Sequence, residues 1–458
     1  MTPDDGRDLA RPAAPRNGGA DVIAAAARLA GRRGRVLLHS ARDDDGLGTW
    51  SFLAAEPTAT LIARGRSLVE LDAEGRPVAR TTGDPFAAAE AFLAAHGCAL
   101  GAPVAAAPVP RVIGFFGYDL ARLVETLPGG PERGAGVPDL WLGAYPTIAR
   151  WRGGIREVLG PDGAALAAVL DGPAPPRLPP RLGELVPDDD AAHHMARVEK
   201  IRDYLASGDV YQVNLARRLV ARIVAPGDPL ALYAALAEVA PAPYGALIEA
   251  DGATVISGSP ERFLAAVADR VETRPIKGTR PLARAGELAD APKDAAEHLM
   301  IVDLERNDLG RVAELGSVTV DRLGYVVELP ALVHKVSRVS ARVRPGTGYA
   351  ELLRATFPGG SITGAPKVRA MQLIDELEPA RRGPYCGALG YFAAGGGFDL
   401  AIAIRIGVIA NDELRVHVGG GIVADSDPAE ELAETEVKAA GWRAALAALT
   451  ELGRASRP

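Results

Sequence analysis

Thr273-Arg274-Pro275-Ile276-Lys277-Gly278-Thr279-Arg280-Pro281 sets a lysine between isoleucine and glycine, with a proline to either side. Such a lysine is not placed for solvation. Desolvation lowers an ammonium pKa, and the fraction present as free amine is a nucleophile. Sixteen positions earlier, Ser259-Pro260-Glu261-Arg262-Phe263 supplies Glu261, a carboxyl able to give or take a proton beside that amine. The competing reading is a strand lysine with a buried stem and a head that reaches water. The rest of the chain decides between them.

A length of 458 residues accommodates one large domain or two ordinary ones. An apolar fraction of 48% with only 5% aromatics describes a soluble globular protein. The net charge of −7 gives nucleic acid no basic face to bind. No stretch approaches the ~20 apolar residues of a membrane span. Met1-Thr2-Pro3-Asp4-Asp5-Gly6 lacks the apolar core of an export signal. Cys98 and Cys386 lie in unrelated contexts and form no disulfide framework. The expected location is cytoplasmic.

Residues 1–18, rich in Pro, Ala, Gly and charge, read as a disordered tail. Val22 to Leu29 reads as helix. Arg35-Val36-Leu37-Leu38, Leu61-Ile62-Ala63, Val112-Ile113-Gly114-Phe115-Phe116 and Ile148 to Trp151 read as strands. Gly172-Pro173-Ala174-Pro175-Pro176-Arg177-Leu178-Pro179-Pro180 is a proline-rich connector. It separates an N-terminal region, 19–180, from a second region, 190–450. In Pro187-Asp188-Asp189-Asp190 the aspartates cap a helix that sets Met195, Val198, Ile201 and Leu205 on one side and ends at Gly208. Beyond it, long helices alternate with several strands without strict strand–helix repeats. The pattern predicts antiparallel sheets with helices outside, an α+β protein.

Four further features carry chemistry. Glu431, Glu434 and Lys438, spaced i, i+3 and i+7, share one helical stripe. That stripe is either a site or a solvated face with an ordinary Glu–Lys pair. Glu297 introduces the apolar run His298-Leu299-Met300-Ile301-Val302. Gly419-Gly420-Gly421 lets backbone N–H groups approach a ligand, or forms a plain turn. Arg405, in Ala403-Ile404-Arg405-Ile406, reads as a cation inside an apolar strand, which needs a partner such as a bidentate carboxylate.

These segments resemble the chorismate-utilising enzymes. The resemblance runs from about residue 190 to 445. It also takes in Tyr211-Gln212-Val213-Asn214-Leu215, Arg306-Asn307-Asp308 and Phe357-Pro358-Gly359-Gly360-Ser361-Ile362-Thr363-Gly364-Ala365-Pro366-Lys367. It implies a four-layer α/β/β/α fold with two packed antiparallel sheets, to which the N-terminal portion also contributes. It implies Mg2+ held by Glu297 and Glu434, with Glu431 beside or behind them, Asp294 as a weaker candidate and Lys438 as a nearby cation. Chorismate carries two carboxylates, so local positive groups must receive both. The resemblance assigns Arg405 and Tyr385 to the enolpyruvyl side chain. It assigns Gly278, Thr279 and Ser361, with the Gly364-Ala365 turn, to the ring carboxylate. His334 matches a family active-site histidine, as polariser of the leaving 4-hydroxyl or as proton relay.

Within the family, Lys277 resembles the lysine of component I of the aminodeoxychorismate synthases, where anthranilate synthases usually carry alanine. Gln212 stands where water-adding relatives have lysine, and glutamine has no basic lone pair to activate water. The expected reaction is therefore amination of chorismate to 4-amino-4-deoxychorismate through a covalent lysine adduct, in 4-aminobenzoate and folate biosynthesis. The alternatives are an anthranilate synthase component I or a non-catalytic homologue that binds chorismate or a partner. Gly97-Cys98-Ala99-Leu100-Gly101 misses the spacing of a glutaminase elbow, and the chain has no room for a further amidotransferase domain. Ammonia is thus expected from a separate glutamine amidotransferase subunit, and 4-aminobenzoate from another enzyme. Leu38-His39-Ser40, Trp50-Ser51-Phe52 and Pro243-Tyr244-Gly245 resemble the family's amino-acid pocket, which takes tryptophan. The other reading of these segments is an ordinary strand and turn. The glutamate usual in anthranilate synthases at the position of His39 is absent.

Overall fold

The structure, a computed structural model, describes residues 19–102, 105, 107–129, 136–289, 292–328 and 332–455. The expected tail, 1–18, lies outside the described residues. Two antiparallel sheets of twelve strands each dominate the described residues. In the first, Gln212–Ala225 pairs with Glu413–Ile422 from Val213↔Ile422 to Arg222↔Glu413. The order continues through Ile406–Ala410, Ala253–Ser259 and Tyr244–Ala250 to the N-terminal strands Val36–His39, Ser51–Ala54 and Ile148–Arg152. The second runs from Ile276–Pro281 through Leu332–Arg342, Arg270–Arg274, Arg262–Val267, Phe398–Ile402 and Ala388–Ala393 to Pro110–Phe116, Leu140–Ala144 and Ala59–Arg64. Strands from both ends of the chain therefore complete both sheets.

The reason is burial. Strands such as Val36–His39 and Leu140–Ala144 are buried at every position, because each sheet is covered on both faces. One core fills the space between the sheets and includes Phe52, Leu61, Phe115, Leu215, Leu400 and Ile406. A second lies under the helices Gly19–Arg28, Pro229–Val239 and Pro428–Ala455 and includes Leu37, Tyr233, Leu247, Val416 and Trp442. Helix Pro292–Gly310 packs on the other sheet, against Leu332–Arg342. The layers are the expected α/β/β/α.

The start and stop signals of the helix after the connector hold. Asp190 caps Ala191–Ala206 by accepting the Ala192 N–H at 3.0 Å, and Gly208 takes a φ of 79° after the last turn. That helix buries His194, Val198 and Ile201, with Met195 and Leu205 half-buried. Arg35, read as the start of a strand, is instead a buried ion-pair hub bonded to Asp228 at 2.5 Å and Glu249 at 2.6 Å. Both cysteines are buried and free. Among the described residues, no helix is long and apolar enough to cross a membrane.

Candidate active site

The chain crosses from the first sheet to the second between Ala253–Ser259 and Arg262–Val267, and Glu261 stands in that crossing. It crosses back between Phe398–Ile402 and Ile406–Ala410, where Arg405 stands. Glu261 is buried and accepts hydrogen bonds from Ser361 Oγ at 2.9 Å and from the Ile276 N–H at 3.4 Å. Burial raises its pKa to about 7, against the opposing pull of the Ser361 hydrogen bond and the Lys277 charge. A carboxyl at that value exchanges protons readily in both directions at neutral pH.

Lys277 sits on a bulge. Ile276 pairs with Val336 and Thr279 with His334, so three steps on one strand oppose two on the other. Gly278 absorbs the surplus with a φ of 77°, a conformation that favours glycine. The bulge re-aims the lysine at the point where a regular strand would alternate it away. Loss of hydration lowers its pKa below the ordinary lysine value, while the charges of Glu261, Glu297 and Glu434 resist and Lys438 assists. Those four groups therefore gather around Lys277, and its Nζ has no hydrogen-bond or ion-pair partner among the described residues. His334 Nδ1 lies 2.8 Å from Thr279 Oγ1. Burial, with Arg42 and Arg405 nearby, lowers its pKa to about 4, so the ring is neutral at neutral pH.

Helix Pro428–Ala455 brings Glu431, Glu434 and Lys438 to the glycine run. Lys438 Nζ is 2.5 Å from Glu434 and donates to the Gly419 carbonyl at 2.6 Å. Glu431 accepts from Ser426 Oγ at 2.5 Å. The glycines make room chiefly for this chain's own groups. A Cβ on Gly420 would lie 3.1 Å from Glu431 Oε2 and 3.3 Å from Glu434 Oε1, and one on Gly421 only 2.2 Å from the Gln212 amide nitrogen. Pairing to Ile406–Ala410 ends at Gly407↔Val416, so the ladder opens beside Gly419–Gly421. Gln212 is buried, and its Oε1 has no hydrogen-bond partner among the described residues.

One expectation needs correction. Arg405 is not inside a strand: it has a φ of 53° in the turn between the sheets, and its side chain is solvent-accessible. It has nevertheless lost enough hydration to lower its pKa, with Tyr385 and Glu434 opposing, which describes a cation lining a recess. Its guanidinium has no hydrogen-bond or ion-pair partner among the described residues, so it remains available to a carboxylate. Ser361, expected on the substrate, donates its hydroxyl to Glu261. Tyr385 is buried and stacks on His417 with ring centres 5.2 Å apart.

Among the described residues, no group of three His, Cys, Asp or Glu side chains is arranged to hold a metal alone. The Asp294 side chain lies outside the described residues. Glu431 and Glu434 do present hard oxygens together on the open face of Gly420. That donor set fits an ion that binds through one or two carboxylates and keeps waters, as Mg2+ does.

Where an amino-acid pocket is expected, Ser40, Trp50, Phe52, Pro243, Tyr244 and Gly245 line a cavity of about 650 Å3. Ser51 does not line it; its Oγ accepts the Ser40 N–H at 3.0 Å. Sequence reasoning missed the polar wall, where Arg262 is paired with Glu272 at 2.7 Å and Asp399 at 2.6 Å. The available signal was a set of charges on otherwise buried strands.

Residues 37–443 match the family model described as chorismate binding enzyme. The chain belongs to this family. It is 40% identical over 418 residues to aminodeoxychorismate synthase component 1 of Klebsiella aerogenes, covering 87% of this chain and 91% of that protein. It is 37% identical over 358 residues to an anthranilate synthase component 1 of Haloarcula marismortui, covering 70% and 73%. Among solved structures, anthranilate synthase component I from Streptococcus pneumoniae superimposes with a TM-score of 0.75 at 31% identity, covering 86% of this chain and 92% of that one. Membership of the chorismate-binding family accounts for both the sheets and the ordered motifs. Overall identity does not separate the two kinds of relative, so the choice between them rests on individual residues.

Proposed function

We propose that this chain aminates chorismate at C4 to give 4-amino-4-deoxychorismate, with Lys277 as the covalent nucleophile. The observation that carries the reading is Lys277 itself: desolvated, without a hydrogen-bonding partner among the described residues, and beside a carboxyl held at about pKa 7. The naming of the Klebsiella relative supports it.

In the first step the Lys277 amine bonds to C2 of the ring, the two conjugated ring double bonds move from C1=C2 and C5=C6 to C1=C6 and C4=C5, and the C4–O bond breaks. Glu261 protonates the departing hydroxyl, which leaves as water, and the adduct is a secondary ammonium. Ammonia then bonds to C4, both double bonds return to C1=C2 and C5=C6, and the C2–N bond breaks, releasing Lys277 as a neutral amine. Glu261 recovers its proton from the new ammonium group, which restores both residues. Splitting one substitution into two displacements through the conjugated diene is the advantage of covalent catalysis. Arg405 receives the enolpyruvyl carboxylate beside Tyr385, and neutral His334, oriented by Thr279, offers a ring nitrogen to the 4-hydroxyl. Mg2+ at Glu297 and Glu434, with Glu431, would neutralise and orient the ring carboxylate.

Gln212 carries no base that would activate water in place of ammonia. A separate glutamine amidotransferase supplies that ammonia, in keeping with the relatives' designation as component 1. Cys98 is no substitute, since burial pushes its thiol up to about 12. The 650 Å3 cavity takes tryptophan, its ring against Trp50 and Phe52 and its charged groups against Arg262 and Asp399. The product feeds 4-aminobenzoate and folate synthesis in the cytoplasm.

Mass spectrometry of protein quenched during turnover without ammonia tests the adduct. A peptide carrying Lys277 plus the mass of chorismate less one water is expected. Absence of that mass, with Lys277→Ala turning over at the wild-type rate, overturns the covalent mechanism.

A further inference from the structure

Behind Ser361 lies a buried guanidinium that the chemistry above does not use. Arg382, in the segment Arg381-Arg382-Gly383-Pro384-Tyr385, is 2% exposed. Its Nε and Nη2 grip Glu378 at 2.9 and 2.6 Å. Nη2 also donates to the Asn214 carbonyl at 2.7 Å, and Nη1 to the Ile362 carbonyl at 3.0 Å. The plane rests over the Tyr118 ring at 4.6 Å. Burying a charge costs free energy that its partner does not always return. What arginine offers in exchange is a rigid fork that fixes several acceptors at once.

The acceptors are informative. The Ile362 carbonyl receives a second hydrogen bond from Asn214 Nδ2 at 3.0 Å, so the 361–363 turn is held twice from its far side. Ser361, the preceding residue, directs its hydroxyl at Glu261. At the other end, Glu378 Oε1 accepts the Ala216 N–H at 2.8 Å. Ala216 pairs with Gly419, whose carbonyl receives Lys438. Arg382 itself makes no hydrogen bond or ion pair with Glu261 or Lys277.

We propose that Arg382 is a positioning residue for the amination: by clamping the Ile362 carbonyl to Asn214 and Glu378 it aims the Ser361 hydroxyl at Glu261 and so sets the acid strength of the catalytic carboxyl. This rests on the role given to Glu261 above. A hydrogen bond donated to a carboxylate favours its ionised form. Glu261 is also faced by the Lys277 ammonium, the buried Glu305 carboxyl and the Cys386 thiol; the clamp bonds to none of these, so losing it moves the Glu261 titration upward, in the same direction as losing Ser361.

The test compares wild type, Arg382→Lys, Ser361→Ala and the double variant, measuring ammonia-dependent chorismate consumption against pH. Lysine keeps the charge but is a single point donor. Arg382→Lys is expected to lower kcat about tenfold or more, with KM changed less than about threefold. The inflection near pH 7 should move upward by roughly 0.5 to 1 in pH. The double variant should be within about twofold of the worse single variant, since both act on one interaction. An unmoved inflection, or losses that multiply, overturns the proposal. Asn214→Ala, which removes only the second hold on Ile362, carries the same test if Arg382→Lys does not fold. Wild type without turnover of chorismate would instead refute the amination reading, which keeps the two failures distinct.

Discussion

Replacing Glu261 with glutamine removes a proton carrier and little else. The amide oxygen still accepts from Ser361 Oγ and the Ile276 N–H, now at 2.9 and 3.4 Å. With a pKa of about 7 the wild-type carboxyl is roughly half protonated at pH 7, so exchanging it for a neutral amide costs little charge. The expected loss of stability is under about 1 kcal/mol. Catalysis should suffer far more, because Glu261 both protonates the leaving hydroxyl and takes back a proton later. A positioned acid–base group contributes about 10²- to 10⁴-fold, which corresponds to about 3 to 5 kcal/mol of barrier. The assay is the initial rate of ammonia-dependent chorismate consumption across the pH range, paired with a thermal melt. Wild type should show an inflection near pH 7, and Glu261→Gln should lose both the rate and that inflection. A loss below about tenfold, or an inflection that survives the substitution, would refute the assignment.

Other substitutions probe different parts of the account. Arg405→Ala should raise KM for chorismate about tenfold or more, the scale of a hydrogen bond to a charged group, with a smaller change in kcat; an unchanged KM would remove Arg405 from the carboxylate receptor. Arg35→Met leaves Asp228 and Glu249 facing each other without their cation. It should destabilise the fold by about 3 kcal/mol in denaturant melts, at the low end for a broken buried pair because Glu249 is partly solvated. Tryptophan at millimolar concentration should raise the melting temperature by mass action on the folded state. No shift would empty the proposed pocket.

Much of the site was legible because its parts are local. Lys277 is flanked by Gly278, and that neighbour is what a bulge needs. Asp190 announces its helix, and the Glu431, Glu434 and Lys438 spacing declares a stripe. What was illegible is long-range or concerns what a side chain replaces. Val36–His39 pairs with Tyr244–Ala250, and Pro110–Phe116 with Ala388–Ala393, so strands more than two hundred residues apart are neighbours without any local signal. Arg405 reads as strand because Ala403, Ile404 and Ile406 are apolar, whereas they are apolar because both sheets bury the crossing. The glycines read as space for a ligand, yet Gly421 yields its space to Gln212. Arg382, in an Arg-Arg-Gly turn, looks like surface until its four hydrogen bonds are seen.

The most direct test of the central claim is product identification. Purified chain is given chorismate, Mg2+ and an ammonium salt, with and without a lyase that converts 4-amino-4-deoxychorismate to 4-aminobenzoate. The account predicts 4-amino-4-deoxychorismate alone, captured as 4-aminobenzoate when the lyase is present, and its loss in Lys277→Ala. Anthranilate as the product would contradict it, and would make Lys277 incidental to the chemistry.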